Sequence, residues 1–126
     1  MDKEVIHTDA APGAVGPYSQ GIRAGGFIFT AGQIALDPAS GKMVGATVEE
    51  QTRRVLENLK AVLEAAGSGL QKVVKTTVFI TDMAHYAKMN AVYAEYFTAA
   101  PPARSCLPMA SLPLGGLVEI ECVALA

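Results

Sequence analysis

The sequence predicts an α+β fold, a mixed sheet with two helices on one face. Three observations carry this reading. Candidate segments run in the order β-β-β-α-β-α-β-β, with long helices set between strands. The composition is apolar, 51% hydrophobic and 17% charged, where a typical soluble domain has about 25% charged residues. A length of 126 residues without repeats, low-complexity tracts or long linkers suits one domain, 1–126.

Each element has a local cause. "KEVIHT" is a short candidate strand, and the Gly- and Pro-rich "APGAVGPYSQG" reads as an ordered loop entering a second strand near "SQGIRAG". Gly25-Gly26 supplies the positive φ angles of a hairpin turn into "FIFTAGQIA". "LDPASGK" is a further turn, opened by Asp37-Pro38 and closed by Gly41. In "TVEEQTRRVLENLKAVLEAAG", Thr47 and Glu50 form a capping-box pattern, in which each side chain satisfies a free backbone N–H of the other. Val48, Thr52, Val55, Leu56, Leu59, Val62, Leu63 and Ala66 then recur at helical spacing, and Gly67 is placed to end the helix. The β-branched "VVKTTVFIT" is a strand. "MAHYAKMNAVYAEYF" is a second helix packed through Met89, Val92, Tyr93, Tyr96 and Phe97, and Pro101-Pro102 stops it. The strands "ARSCLPMA" and "LVEIECVAL" complete the order.

Two helices on one face leave the other face of the sheet bare and apolar, with no third layer in the sequence. Copies of the chain can cover it, so a homo-oligomer is expected. The net charge is −2, and the ten Lys and Arg are scattered, with Arg53–Arg54 the only adjacent pair. No basic stripe marks a nucleic-acid partner. Cys106 and Cys122 make neither a disulfide framework nor a metal-binding spacing, so no metal is expected. No leader-like or membrane-spanning run is visible, so the expected location is the reducing cytoplasm.

The candidate functional groups are few. Arg104 sits just inside an apolar strand; a guanidinium keeps its proton, so a buried one needs partners. It is a salt-bridge partner of Glu119 or Glu121, an exposed strand end, or a receptor whose planar fork takes a substrate carboxylate. Glu119 and Glu121 point to one side of their strand, opposite Val118, Ile120, Cys122 and Ala124, onto the face left for other subunits. There they form either intersubunit ion pairs or a general acid/base in a cleft. Tyr18 is a loop residue or a packing aromatic. Gly32 marks a bulge or the close approach of a ligand to backbone. Asn90 interrupts a packing stripe and reads as an outward-facing polar residue, and Cys106 reads as an inert thiol. His7 and His85 have no acid partner at a recognisable spacing, and no Walker loop, GxSxG or dinucleotide fingerprint is present.

Taken in order, "APGAVGPYSQG", "FTAGQIALDPASGKMVG", "VVKTTVFITDM", "MNAVYAEYF" and "PPARSCLPMASLP…VEIECVAL" resemble the RidA family, also called YjgF or L-PSP, over nearly the whole chain. The most specific feature is "PARS" with a glutamate fifteen positions beyond its arginine. The resemblance implies a chorismate-mutase-like α+β fold and a barrel-like homotrimer with clefts between subunits. It also implies a cofactor-independent 2-iminobutanoate/2-iminopropanoate deaminase, which hydrolyses reactive enamine/imine intermediates to 2-oxo acids and ammonia. Carried over residue by residue, it makes Arg104 the carboxylate-binding group and Glu119, kept ionised by the nearby cation, the group that positions and deprotonates water. It makes Tyr18, Gly32, Cys106 and Asn90 substrate-binding. Two departures stand out: Ala31 replaces the serine that many deaminating members carry before Gly32, and Pro108 interrupts the strand after Arg104. Two other functions compete. One is a non-catalytic regulatory protein that binds carboxylate metabolites, consistent with the hydroxyl missing at Ala31. The other is an endoribonuclease or translation inhibitor, which the acidic balance and the lack of paired histidines oppose.

Overall fold

The computed structural model describes residues 2–126. Its elements are β1 (Glu4–Ile6), β2 (Gly21–Ala24), β3 (Phe27–Thr30), α1 (Val48–Ala65), β4 (Val73–Ile80), α2 (Tyr86–Tyr96), β5 (Ala103–Pro108) and β6 (Val118–Leu125). The chain order is the expected one, with short 3-10 turns at Leu70–Lys72, Met83–His85 and Pro113–Gly115. The strands form one mixed sheet in the order β1-β2-β3-β6-β4-β5. All pairings are antiparallel except β4 with β5, which are joined through α2.

Local chemistry sets the boundaries. Gly25 and Gly26, with φ of 59° and 83°, turn β2 into β3 so that Ala24 opposes Phe27. Both halves of the Thr47–Glu50 capping box are made at the start of α1. At its end, Gly67 takes φ 80°, its N–H bonds Glu64 O, and Ser68 N–H reaches back to Leu63 O at 2.9 Å. This left-handed cap uses carbonyls that the helix would otherwise leave unpaired.

The predicted apolar stripe of α1 is buried from Val48 to Ala66. It packs with Ile28, Val78, Ile80, Val118, Ile120 and Ala124 of the sheet and Met89 and Tyr93 of α2. The opposite sheet face is bare. Phe27 and Phe29 of β3 stand 6.4 Å apart between ring centres, and Phe29 pairs with Val123 across β3 and β6. Val5 and Leu125 are exposed near them and Leu107 at the far β5 edge of the same face, with Phe29 itself 45% exposed.

Two expected strands are shorter than their sequence patterns. "FIFTAGQIA" stays in the ladder only to Thr30; the chain leaves it at Ala31-Gly32 and rejoins β6 through an isolated Gln33–Ile120 bridge. "ARSCLPMA" ends at Pro108, although Met109 N–H still bonds Ile80 O at 2.8 Å. β5 is an edge strand, where a residue without an N–H is tolerated.

Candidate functional site

The structure gathers the candidate residues into two groups on opposite faces of the sheet. Arg104 opposes Thr76, and Cys106 opposes Val78, in the parallel β4–β5 register. Thr76 and Val78 are buried beneath the helices, so Arg104 and Cys106 turn toward α2. Arg104 donates from one terminal nitrogen to Asn90 Oδ1 at 2.7 Å and from the other to Tyr86 Oη at 2.9 Å. The Tyr93 ring centre lies 4.8 Å from the guanidinium carbon, close enough for cation–π attraction. Tyr93 is itself fixed by a 2.7 Å hydrogen bond to Thr76, and burial pushes its phenol above the ordinary value. Burial likewise raises the Cys106 thiol, more than Arg104 lowers it, which keeps it protonated and unreactive near neutral pH.

Glu119 belongs to the other group. It opposes Phe79 in the β4–β6 register, on the face away from the helices, while Val118 and Ile120 on either side are fully buried. Glu121 shares its face, as the alternation predicts. Gly32 lies directly against Glu119: a β-carbon there would stand 2.8 Å from the carboxyl carbon. Both line a cavity of about 570 Å³ together with Tyr18, Ile34, Leu36 and Leu114. Tyr18 Oη accepts the Val15 N–H at 3.2 Å, curling the loop over this cavity. Burial, and then the negative charge of Glu121, hold the Glu119 carboxyl above the ordinary glutamate value of 4.5.

Several expectations are settled by this placement. Among the described residues Arg104 makes no salt bridge; the ion pairs are His7–Asp9, Arg23–Glu4 and Arg53–Glu95. The bridge to Glu119 or Glu121 is therefore not formed within the chain. Nor does Arg104 keep Glu119 ionised there, because β5 and β6 direct the two to opposite faces. Asn90 is partly buried and occupied by Arg104 rather than turned freely to water. The Thr30 hydroxyl faces the helix side, accepting Cys122 N–H at 3.0 Å, so it does not replace the hydroxyl missing at Ala31.

Sequence reasoning missed Tyr86 and three buried amides that hold the cavity loops. Gln20 accepts the Thr8 N–H at 2.7 Å and donates to the carbonyls of Thr8, Ala11 and Pro12, fixing the loop that carries Tyr18. Gln51 accepts Leu117 N–H at 2.8 Å and donates to Gly45 O. Asn58 donates to the carbonyls of Ile34 and Leu36. The available signal was spacing: Gln51 and Asn58 are seven apart and so lie on the buried stripe of α1, where an amide needs a backbone partner.

Comparison with known proteins agrees with this architecture. Residues 8–126 match the family model described as Endoribonuclease L-PSP. A RutC family protein of Pyrococcus horikoshii is 54% identical over 97% of each chain. The 2-iminobutanoate/2-iminopropanoate deaminase of Mus musculus is 43% identical, over 97% of this chain and 90% of its own. The crystal structure of E. coli TdcF with bound serine superimposes with a TM-score of 0.93 at 44% identity, covering 98% of each chain. With the sequence motifs, the sheet order and these matches all in agreement, the chain belongs to the L-PSP family, known also as RidA or YjgF.

Proposed function

We propose that this protein is an enamine/imine deaminase that hydrolyses 2-iminopropanoate and 2-iminobutanoate to 2-oxo acids and ammonia. Its site would lie between copies arranged as a homotrimer, with Arg104, Asn90 and Cys106 from one copy facing Tyr18, Gly32 and Glu119 of the next. The supporting observation is that Arg104 carries no carboxylate partner among the described residues while Glu119 lines a cavity on the other face. One copy alone cannot bring an anchor and a proton acceptor together; a ring that buries the bare face can. The mouse relative named a deaminase, and the relative whose structure holds serine, support a small amino-acid-like ligand. Free thiols at Cys106 and Cys122 suit the proposed cytoplasmic location.

The chemistry needs orientation, a placed water and proton transfer. Arg104 grips the substrate carboxylate through two parallel hydrogen bonds, which fixes the C=N carbon. Glu119 takes a proton as the water oxygen bonds to that carbon and the C=N pair moves to nitrogen. It then returns the proton to nitrogen, the C–N bond breaks as the carbonyl forms, and the remaining hydroxyl proton passes through Glu119 to the departing ammonia. Iminium plus water thus gives 2-oxo acid plus ammonium. The test couples a serine/threonine dehydratase to 2-oxo acid release, with imine hydrolysis limiting. Arg104→Ala is expected to remove the acceleration, and unchanged hydrolysis rejects the assignment.

Ala31 supports a second reading, a carboxylate-metabolite sensor that binds in the same cleft without turnover. Tight calorimetric binding of a 2-oxo acid by a protein inactive in the coupled assay would favour it.

A further inference from the structure

Among the described residues, Arg104 is held by neutral oxygens alone. Tyr86 and Asn90 are four apart on α2, so they share a helix face and offer acceptors to the two terminal nitrogens at once, at 2.9 and 2.7 Å. The guanidinium carbon also lies 5.5 Å from the Tyr86 ring centre and 4.8 Å from that of Tyr93. A carboxylate in either acceptor position would compete with an incoming acid for the cation. A phenol and an amide instead fix the plane and leave its charge available. Two of the guanidinium's five donor hydrogens are engaged this way, leaving the others for a ligand.

The sites of the two acceptors differ. Asn90 is partly buried, whereas Tyr86 is 37% exposed. Removing the Tyr86 hydroxyl therefore strands no deeply buried polar group, and its ring can stay in place.

Resting on the reading of Arg104 as the substrate anchor, we infer that Tyr86 is a positioning residue whose phenolic oxygen orients the guanidinium toward the carboxylate of 2-imino and 2-oxo acids. It acts through Arg104 and does not touch the reacting carbon. It therefore governs capture of the acid more than the chemical step.

The test compares wild-type protein with Tyr86→Phe by calorimetric titration with 2-oxobutanoate, by imine hydrolysis and by thermal melting. Loss of one hydrogen bond to a charged group predicts a rise of about tenfold in both Kd and KM, with kcat changed less than about twofold and the melting temperature little changed. Equal Kd and KM in the two proteins, or a fall confined to kcat, overturns the positioning role while leaving the deaminase reading intact. Failure of the wild-type protein both to bind the oxo acid and to accelerate imine hydrolysis overturns both.

Discussion

Glu119 and Gly32 are in direct contact, the carboxyl group occupying the space a side chain at position 32 would take. Gly32 is not among the positive-φ residues, so its lack of a β-carbon serves the neighbour and not the local turn. The contact also makes a sharp prediction. Gly32→Ala places its methyl 2.8 Å from the Glu119 carboxyl carbon and forces that side chain to move. Displacing the proton acceptor by about 1 Å is expected to lower kcat about 100-fold. Steady-state kinetics beside a melting curve would check this, with little loss of stability expected.

The Glu119 carboxyl has a folded-state pKa above 4.5, raised by burial and then by Glu121. A raised carboxyl value means that ionisation costs stability: the penalty is absent at low pH and grows as pH rises through the unfolded value of about 4.3. Glu119→Gln should therefore lose turnover by about 10²- to 10⁴-fold while melting no lower than wild type at pH 7. The two melting temperatures should converge as pH falls below about 4. A mutant clearly less stable at neutral pH would contradict this sign.

Gln20 is 3% exposed and satisfies four backbone groups of residues 8, 11 and 12. Gln20→Leu leaves those groups unpaired inside the protein, at a cost of about 3 kcal/mol. Urea denaturation should report that loss. KM should rise as well, because the same loop carries Tyr18.

Phe29 lies in neither group of site residues but stands on the bare face, opposite Val123. Under the proposed assembly, Phe29→Glu sets a charge in an apolar contact between copies. Sedimentation should show monomers, and turnover should fall with them.

Most of the fold was legible because its signals are local. The Gly25-Gly26 turn, the Thr47–Glu50 cap and the α1 stripe each depend on residues a few positions apart. The alternation about Ile120 also placed both glutamates correctly on one face. What stayed hidden depends on partners distant in the chain. Gly32 could be read as a bulge or close approach, but no local pattern shows that the group lying against it is Glu119, nearly ninety positions away. Tyr86 drew no reading of its own, because its acceptor role exists only once β5 is laid beside α2. The expectation that Arg104 keeps Glu119 ionised is not met within one chain, because the parallel β4–β5 register turns the arginine to the helix side; it would be met only between copies in the proposed assembly.

The opposed orientation of Arg104 and Glu119 has a genetic corollary under the proposed ring. Two alleles, one lacking the guanidinium and the other lacking the carboxylate, would each encode an inactive homomer. Co-expressed, their products would intermix, and wherever an intact arginine from one meets an intact glutamate from the other, a working cleft would reappear. Complementation between two dead alleles is thus expected, and a site contained within one polypeptide would never permit it.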